Sequence, residues 1–350
     1  MQAKSDCSAP LVEVLRGPIV ESLHRGHIVA VDCEGKILTQ LGQPETIVFL
    51  RSSVKPLQAL PLIISGAYER FSFADKELAI ACGSHDGTTK HTEAVLSILN
   101  KIGLDESFLK CGPHEPYSKE AAASLRERNQ MPTPVHNNCS GKHAALLALA
   151  LHLRASVKDY NEKENPVQRE IKKTIAQFAD VPATQIATAI DGCGIPTFAL
   201  SVQALALMFA RLAKPPARFG SATIVACHKI FDAMNAHPDM VEGNGEIDTE
   251  LMHVMRGALI SKVGAEGVYA AGVLPCERWS NGLGLAFKIE DGDKAGRARS
   301  PVVIEALSQL GILSSKELNS LDAFATMPVM NHRGDNVGKV RALFQLSFVD

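Results

Sequence analysis

A serine and a lysine lie three residues apart in the segment Arg51-Ser52-Ser53-Val54-Lys55. If a helix begins here, this spacing places Ser52 and Lys55 on one helix face. An unprotonated lysine in that position can accept the proton of the serine hydroxyl and make it a nucleophile for acyl transfer. The alternative is a capping serine beside a solvated lysine, because Ser-x-x-Lys also occurs by chance. The rest of the chain must decide between the two.

Two later segments extend this motif. In penicillin-binding proteins and class A β-lactamases, S-x-x-K is followed by S-D-N and then by K-T-G. Here Ser84-His85-Asp86 and Lys262-Val263-Gly264 take these places in the same order. The changes from Asp-Asn to His-Asp and from Thr to Val argue against β-lactam chemistry itself. The retained order favours a related Ser-Lys acyl-transfer site that includes Ser84 and Lys262.

A third segment, Asn137-Asn138-Cys139-Ser140-Gly141-Lys142-His143, precedes an apolar helical run. Ser140 is a suitable N-cap residue, so Lys142 falls in the first turn, where the helix dipole disfavours an ammonium group. We therefore expect Lys142 to be neutral or bound, and the pKa of the Cys139 thiol to be lowered by the same field. Deprotonated groups of this kind suit a metal cation. The alternative is a buried structural cysteine beside a surface lysine.

A fourth segment, Asp191-Gly192-Cys193-Gly194, directly follows the strand-like residues 185–190. Functional residues are often placed in loops at strand ends. The two glycines permit backbone conformations that bring the chain close to a ligand. A turn that merely contains a buried cysteine is the alternative interpretation.

The elements that must position these segments differ along the chain. Hydrophobic spacing predicts strands near both ends and helices between them. The predicted strands cover residues 19–32, 36–41, 45–50, 267–273, 284–290 and 338–348, and a helix covers 53–65, with Pro61 expected to kink or end it. We therefore predict an α/β (α+β) fold with a mixed, mainly antiparallel sheet from both chain ends. Residues 1–90 and 261–350 form its sheet region and 91–260 a mainly helical region, within one discontinuous unit.

Composition argues against several classes of protein. Among 350 residues, 36 Lys and Arg balance 38 Asp and Glu, so no basic stripe predicts nucleic-acid binding. The longest apolar run, residues 144–151, is far below the ~20 residues that span a bilayer. The N-terminal residues lack the apolar stretch of a secretory signal. We expect a cytoplasmic protein with reduced cysteines and with neither a nucleic-acid nor a membrane partner.

Together these segments resemble the Rhizobium-type L-asparaginases, class 3, of the asparaginase II family. The resemblance runs over nearly the whole chain, and the residues around Cys139 and Asp191 are its most specific parts. It is also carried by His24-Arg25-Gly26, Arg51-Ser52-Ser53-Val54-Lys55-Pro56, Gly83-Ser84-His85, Lys262-Val263-Gly264-Ala265-Glu266-Gly267 and Asp291-Gly292-Asp293. The resemblance implies a fold akin to penicillin-binding proteins and serine β-lactamases, and commonly a homodimer.

The resemblance further implies the hydrolysis of L-asparagine to L-aspartate and ammonia by two Ser-Lys tandems. These tandems are Ser52 with Lys55 and Ser84 with Lys262. On this assignment, Ser52 is the nucleophile and Lys55 its base, while Ser84 and Lys262 relay the proton to the leaving ammonia. Which tandem supplies the nucleophile remains an open alternative.

The resemblance also implies one Zn²⁺ per chain. Its ligands would be Cys139, Lys142 and Cys193, with water completing the shell. Two thiolates, a neutral amine and water make a plausible four-coordinate site. We expect the zinc to orient the substrate rather than to supply the attacking hydroxide. Asp191 and His143 match positions that contact the bound amino acid, and Arg51 is expected beside them.

Two other functions stay open at this stage. One is a related amidase or glutaminase, because discrimination between such substrates depends on about one methylene, or ~1–3 kcal/mol. The other is a catalytically inactive protein that binds zinc or an amino acid on the same scaffold. Hydrolysis of asparagine distinguishes both from an asparaginase.

Overall fold

Strands near both ends of the chain flank a helical middle in this computed structural model, which describes residues 8–349. The strands are β1 (Ala9–Arg16), β2 (Ile19–Val31), β3 (Ile37–Leu41), β4 (Ile47–Phe49), β5 (Ala187–Ile190), β6 (Pro196–Ser201), β7 (Leu259–Gly264), β8 (Val268–Val273), β9 (Leu283–Ile289), β10 (Thr326–Met330), β11 (Asn336–Ala342) and β12 (Ser347–Phe348).

Most helices lie between β4 and β7, and the last three follow β9. They are α1 (Lys55–Ile64), α2 (Ala67–Arg70), α3 (Asp75–Ala81), α4 (Thr89–Lys101), α5 (Lys119–Glu127), α6 (Ser140–His152), α7 (Pro166–Ala179), α8 (Val202–Ala213), α9 (Ser221–Ala236), α10 (Pro238–Val241), α11 (Ile247–Met255), α12 (Arg299–Gln309), α13 (Ser315–Ser320) and α14 (Asp322–Ala325). None of these helices has both the length and the apolar character needed to cross a bilayer.

The main sheet joins the two ends of the chain. It has the order β10-β11-β1-β2-β9-β8-β7, and β3 pairs with both β2 and β12. The predicted sheet from both chain ends, with a helical middle region, is therefore confirmed. Every strand pair among residues 8–349 is antiparallel, so the expected mixture with parallel pairs is not found. Short turns join β1 to β2 and β7 to β8, and such connections require antiparallel strands. Residues 274–282 connect β8 to β9.

A separate small sheet has the order β4-β6-β5. Strands β4 and β5 are each antiparallel to β6, so they run in the same direction and end at the same edge. The residues that follow β4 and β5, Arg51 and Asp191, are thereby brought together. This sheet explains how two motifs far apart in sequence become neighbours.

Helix α1 differs in two ways from its prediction. A 3-10 turn, Arg51–Val54, precedes it, so Ser52 lies just outside the α-helix and Lys55 is its first residue. Pro61 lies within α1 and does not end it. Because the helix extends only three residues past Pro61, the proline removes a single backbone hydrogen bond close to the C-terminus.

Helix α8 lies unusually close to the main sheet. A Cβ added at Gly284 would be 1.8 Å from Ala206 O, and one at Gly272 would be 2.6 Å from Phe209 O. Neither position tolerates a side chain without moving the helix. The buried apolar side chains of the sheet and of the helices form one continuous core, which holds the small sheet and α1 in place.

Candidate active site

Ser52 lies at a turn that leaves the small sheet. Leu50 N–H still donates to Phe198 O at 2.9 Å, and the next residue, Arg51, has a φ of 52°. A side chain in this left-handed region carries strain that is common at functional sites. Strand β7 packs against the turn, since a Cβ at Gly264 would be 3.3 Å from Ser53 Cβ. The turn is thus held between two sheets.

Ser84 is presented by an extended segment that follows α3. Ser84 N–H donates to Val241 O at 2.7 Å, and His85 N–H donates to Asn138 O at 3.2 Å. A Cβ at Gly83 would be 2.5 Å from Met240 O, so glycine is needed for this close approach. Ser52 and Ser84 line the same cavity of about 280 Å³, together with Val263 and Gly264.

Lys55 is almost completely buried beside this cavity. Its Nζ lies 2.9 Å from Ser84 Oγ, 2.6 Å from Gly83 O and 3.4 Å from Asn138 O. Burial lowers the pKa of Lys55 from its ordinary value. A neutral amine has two N–H donors and one lone pair, so donation to the two carbonyls leaves the lone pair to face the Ser84 hydroxyl. In its neutral form Lys55 is therefore placed to act as a base toward Ser84.

The contacts differ from the predicted pairing of serines and lysines. Lys55 contacts Ser84, and among residues 8–349 no side-chain hydrogen bond joins Ser52 to Lys55 or Ser84 to Lys262. Lys262 Nζ instead donates to Asp248 Oδ2 at 2.8 Å. The four predicted residues therefore surround one cavity, but Lys55 and Ser84 are the pair in direct contact. The catalytic roles assigned from the sequence stay predictions.

Three acidic residues at the cavity were missed by the sequence analysis. Glu242, Glu246 and Asp86 line it together with Arg299. Burial, with a contribution from Asp248, raises the pKa of Glu242 to about 8, and burial with the nearby Glu246 raises the pKa of Asp86 to about 6. Asp86 belongs to the segment Ser84-His85-Asp86 but was given no role of its own. No motif marks Glu242 and Glu246, because the loop between α10 and α11 reaches the cavity only through the fold.

The predicted zinc ligands do converge. Lys142 Nζ lies 3.0 Å from Cys193 Sγ, and all three side chains are buried. A hydrogen bond with Cys139, aided by the Lys142 charge, lowers the pKa of Cys193 to about 5. The same hydrogen bond, together with burial, raises the pKa of Cys139 to about 12. The expected lowering is thus found at Cys193 and not at Cys139.

Helix α6 begins at Ser140, with Cys139 as the preceding cap residue, one position earlier than predicted.

Burial would lower the pKa of Lys142, but the adjacent Cys139 and Cys193 more than offset this and raise it. The helix dipole predicted a Lys142 that is neutral or bound. The surrounding protein groups do not favour the neutral form, and binding to a metal stays a prediction. No group of three His, Cys, Asp or Glu side chains within residues 8–349 is placed to hold a metal. The candidate set depends on Lys142 as a ligand, and two sulfurs with one nitrogen fit zinc.

The three predicted substrate contacts lie close to these sulfurs. Arg51 Nε donates to Asp191 Oδ1 at 2.8 Å across the edge of the small sheet. Although burial alone would raise it, Lys142 and Arg51 lower the pKa of Asp191. His143 is buried, with Nδ1 at 2.6 Å from the Tyr160 hydroxyl. Its Nε2 has no hydrogen-bond partner among the described residues, and burial lowers the pKa of His143 to about 3.

Two further segments of the family resemblance meet each other and do not line the cavity. His24 Nδ1 lies 2.6 Å from Asp291 Oδ2, and Arg297 Nε donates to His24 Nε2 at 3.0 Å. Asp293 accepts hydrogen bonds from three backbone N–H groups that precede and begin α12. These motif residues join β2 to the start of α12 and have a structural role.

A larger groove of about 680 Å³ lies against α7 and β5, lined by Gln168, Lys172, Ile190 and Phe198 among others. It contains none of the candidate catalytic residues. The smaller cavity combines two serines with a buried lysine, and we therefore place the active site there.

A serine beside a buried lysine whose pKa is lowered, in a cavity lined by ionisable groups, suits acyl transfer. The family model for L-asparaginase II matches residues 12–342, and the chain belongs to this family. The resemblance seen in the sequence is thereby confirmed. None of the curated proteins matches the chain significantly.

Several solved structures show a more distant likeness. The protein Mglu in its native form is 12% identical, with 84% of this chain and 66% of that chain covered and a TM-score of 0.45. Mglu in its tris and glutamate form is 14% identical, with 84% and 61% covered and a TM-score of 0.45. The chain thus spans slightly less than two thirds of the length of these two chains.

A covalent complex of a Bacillus subtilis glutaminase with 5-oxo-L-norleucine is 13% identical, with 83% of this chain and 89% of that chain covered and a TM-score of 0.40. Likeness at these levels is too distant to transfer a substrate. The antiparallel sheet from both chain ends and the helical middle agree with the serine β-lactamase-like class that the sequence predicts.

Proposed function

We propose that the protein is an L-asparaginase that hydrolyses L-asparagine to L-aspartate and ammonia. The observation that carries the proposal is the environment of Lys55. This lysine is buried, has no carboxylate partner in the described part of the chain, and contacts Ser84 at a cavity that Ser52 also lines. A side-chain amide is a poor acyl donor, so its hydrolysis needs an activated nucleophile and a proton for the leaving amine. The two serines and Lys55 can supply both.

In the proposed mechanism Ser52 attacks the amide carbon. Its proton passes to Lys55, directly or through Ser84 Oγ. Burial lowers the pKa of Lys55 and so favours the neutral amine, whose lone pair can accept this proton. When the C–N bond breaks, Ser84 hands a proton to the departing nitrogen. Water then attacks the Ser52 ester in the same way and releases L-aspartate. Lys262 contributes a positive charge beside the cavity.

The polar groups near the sulfurs suit an α-amino acid. The ion pair of Arg51 and Asp191 offers one positive and one negative group, which complement the α-carboxylate and the α-ammonium of asparagine. The unpartnered Nε2 of His143 offers a further hydrogen bond. Zinc would be held by Cys139, Lys142 and Cys193, and when bound it would act as a Lewis acid toward a polar group of the substrate. The homodimer and the cytoplasmic location stay predictions.

The direct test is ammonia release from L-asparagine by the purified protein, measured beside L-glutamine and a simple amide such as propionamide. We expect kcat/KM for asparagine to exceed that for glutamine by about 10- to 200-fold, the usual range for one methylene. A preference for glutamine would instead identify a glutaminase. Binding of asparagine without any ammonia release would identify an inactive binding protein.

Zinc binding can be tested without an activity assay. We expect Cys139→Ser and Cys193→Ser to lose most of the zinc that the parent retains after dialysis, because a serine hydroxyl is a far poorer zinc ligand than a thiolate. Inductively coupled plasma mass spectrometry measures the zinc content per chain. Cys227→Ser is the matched control, since Cys227 is an equally buried thiol on α9. Full zinc content in either ligand variant, or none in the parent, would contradict the zinc assignment.

A further inference from the structure

Asp248 is a buried carboxylate at the start of α11 whose side chain accepts hydrogen bonds from three residues of β7. Its Oδ2 accepts hydrogen bonds from Lys262 Nζ and from Val263 N–H, each at 2.8 Å, and its Oδ1 accepts one from Ser261 Oγ at 2.9 Å. The side chains of Asp248 and Lys262 are both 0% exposed. Three donors therefore fix the orientation of this carboxylate, and the carboxylate fixes Lys262.

The surroundings of the two buried lysines differ in one decisive respect. Lys262 faces a carboxylate, and loss of its proton would leave a buried negative charge without compensation. Lys55 contacts a hydroxyl and two carbonyl oxygens, and within residues 8–349 no carboxylate pairs with it. The two buried lysines thus differ in their partners, a carboxylate for Lys262 and uncharged oxygens for Lys55.

We propose that Asp248 is a positioning residue that keeps Lys262 as a fixed ammonium ion beside the catalytic cavity, so that Lys262 acts by its charge and Lys55 alone carries the proton. The proposal rests on the proposed amide hydrolysis. It assigns Lys262 to stabilise the negative charge that develops in the cavity during acyl transfer. The proton relay that the sequence suggested for Lys262 is then not needed.

One lysine is enough to balance the proton transfers of both half-reactions. Ser52 forms its bond to the amide carbon and gives its proton to Lys55 through Ser84 Oγ. When the C–N bond breaks, its electron pair stays on nitrogen, and the same proton returns through Ser84 so that ammonia leaves. In the second half water forms the new C–O bond and gives its proton to Lys55, and Ser52 recovers that proton as its ester bond breaks. Lys262 gains and loses nothing.

Other ionisable groups around the pair agree with this charge state. Glu242 lies after α10, and its Oε2 accepts the Asp248 N–H at 3.1 Å. Burial and the nearby Asp248 raise the pKa of Glu242 to about 8, so Glu242 is largely protonated near neutral pH and adds little negative charge beside the pair. Lys55 on α1, Cys82 after α3, Asp86 and Glu246 also lie near enough to Lys262 for its charge to contribute to their pKa values.

Two substitutions of Lys262 distinguish a fixed charge from a proton carrier. Arginine keeps the positive charge but is not deprotonated in proteins. We expect Lys262→Arg to retain kcat within about 10-fold of the parent, and Lys262→Met to lose about 100-fold or more, the cost of removing one electrostatic group from an active site. A folded Lys262→Arg enzyme as inactive as Lys262→Met would overturn the proposal.

The Lys262→Arg variant is at risk of misfolding, because the larger arginine must fit a fully buried position. A double-mutant cycle gives a second test that needs no arginine there. If Asp248 acts only through Lys262, adding Asp248→Asn to the Lys262→Met enzyme should change kcat by less than about 2-fold, although Asp248→Asn alone costs at least about 10-fold. Losses that multiply would overturn the proposal. The doubly substituted protein has no uncompensated buried charge, which favours its folding.

Glu77→Gln is the matched control. Glu77 is also a buried carboxylate with three donors, Ala74 N–H, Ser97 Oγ and Lys101 Nζ, but it lies on the far part of α3 and does not line the cavity. We expect Glu77→Gln to lower the Tm and leave kcat unchanged.

If the parent hydrolyses glutamine in preference to asparagine, the asparaginase assignment fails, and the same variants are measured on glutamine. A parent that hydrolyses no amide overturns both proposals.

Discussion

The Ser52→Ala variant is expected to release ammonia from L-asparagine at least about 10³-fold more slowly than the parent, because no other group then forms the acyl intermediate. The Ser52 side chain lines the cavity and takes no part in the hydrogen bond between Lys55 and Ser84. Its removal should therefore leave that buried contact intact. Ammonia release and the thermal unfolding temperature should be measured on the same samples. Unchanged stability with lost activity would assign Ser52 to the chemistry.

Controls and a second readout make the assignment of Ser52 specific. Ser53→Ala is the matched control, since Ser53 is the neighbouring serine but its hydroxyl is buried and donates to Leu50 O at 2.6 Å. A diazoketone analogue of asparagine should label the nucleophile covalently, and peptide mass mapping would locate the label. A label on Ser84 would identify Ser84 as the nucleophile. A Ser52→Ala variant that keeps substantial activity without a label on Ser84 would favour zinc hydroxide as the nucleophile.

Loss of Lys55 should be the second large effect. Lys55→Met is expected to lower kcat by about 10²- to 10⁴-fold, the range for general acid–base catalysis. The base must be neutral to act, so kcat/KM of the parent should rise with pH as Lys55 loses its proton. Because the pKa of Lys55 is lowered by burial, this rise should come at a lower pH than for an exposed lysine. The rise should be absent from the residual activity of Lys55→Met.

Glu242 also titrates in the cavity, since burial and Asp248 raise its pKa to about 8. The pH profile of Glu242→Gln therefore serves as the comparison for Lys55→Met. A rise that survives in Lys55→Met but disappears in Glu242→Gln would belong to Glu242 and would remove Lys55 from the role of base. Lys55→Arg should be inactive at every pH tested, because a guanidinium keeps its proton.

The sequence predicted much of the architecture and most of the residues that meet at the site. The alternation of strands and helices predicted a sheet from both chain ends, because hydrophobic periodicity is a local property. The family segments located Ser52, Lys55, Ser84 and Lys262 around one cavity. Strand direction in the small sheet, which brings Arg51 to Asp191, depends on how β4 and β5 flank β6 and cannot be read from either segment alone.

The contacts between residues within the site could not be predicted from the sequence. Lys55 and Ser84 touch because an extended segment is held by Val241 and Asn138, two distant parts of the chain. Asp248 precedes Lys262 by a helix and a turn, and nothing in its local pattern marks a buried acid. The pKa values of Cys139, Lys142 and Cys193 likewise depend on a contact across the fold. This contact raises the pKa of Lys142, for which the helix-dipole argument predicted a neutral or bound state.

The joining of both chain ends in one sheet has a consequence for how the protein is made. Strand β1 pairs on one side with β2 but on the other with β11, where Val12 lies opposite Ala342. During ribosomal synthesis β1 and β2 are made long before β9 and β11, the strands with which they pair in the folded sheet. Their apolar residues stay available to other chains throughout this interval. Folding yield should therefore depend on elongation rate and on chaperones that bind nascent N-terminal segments.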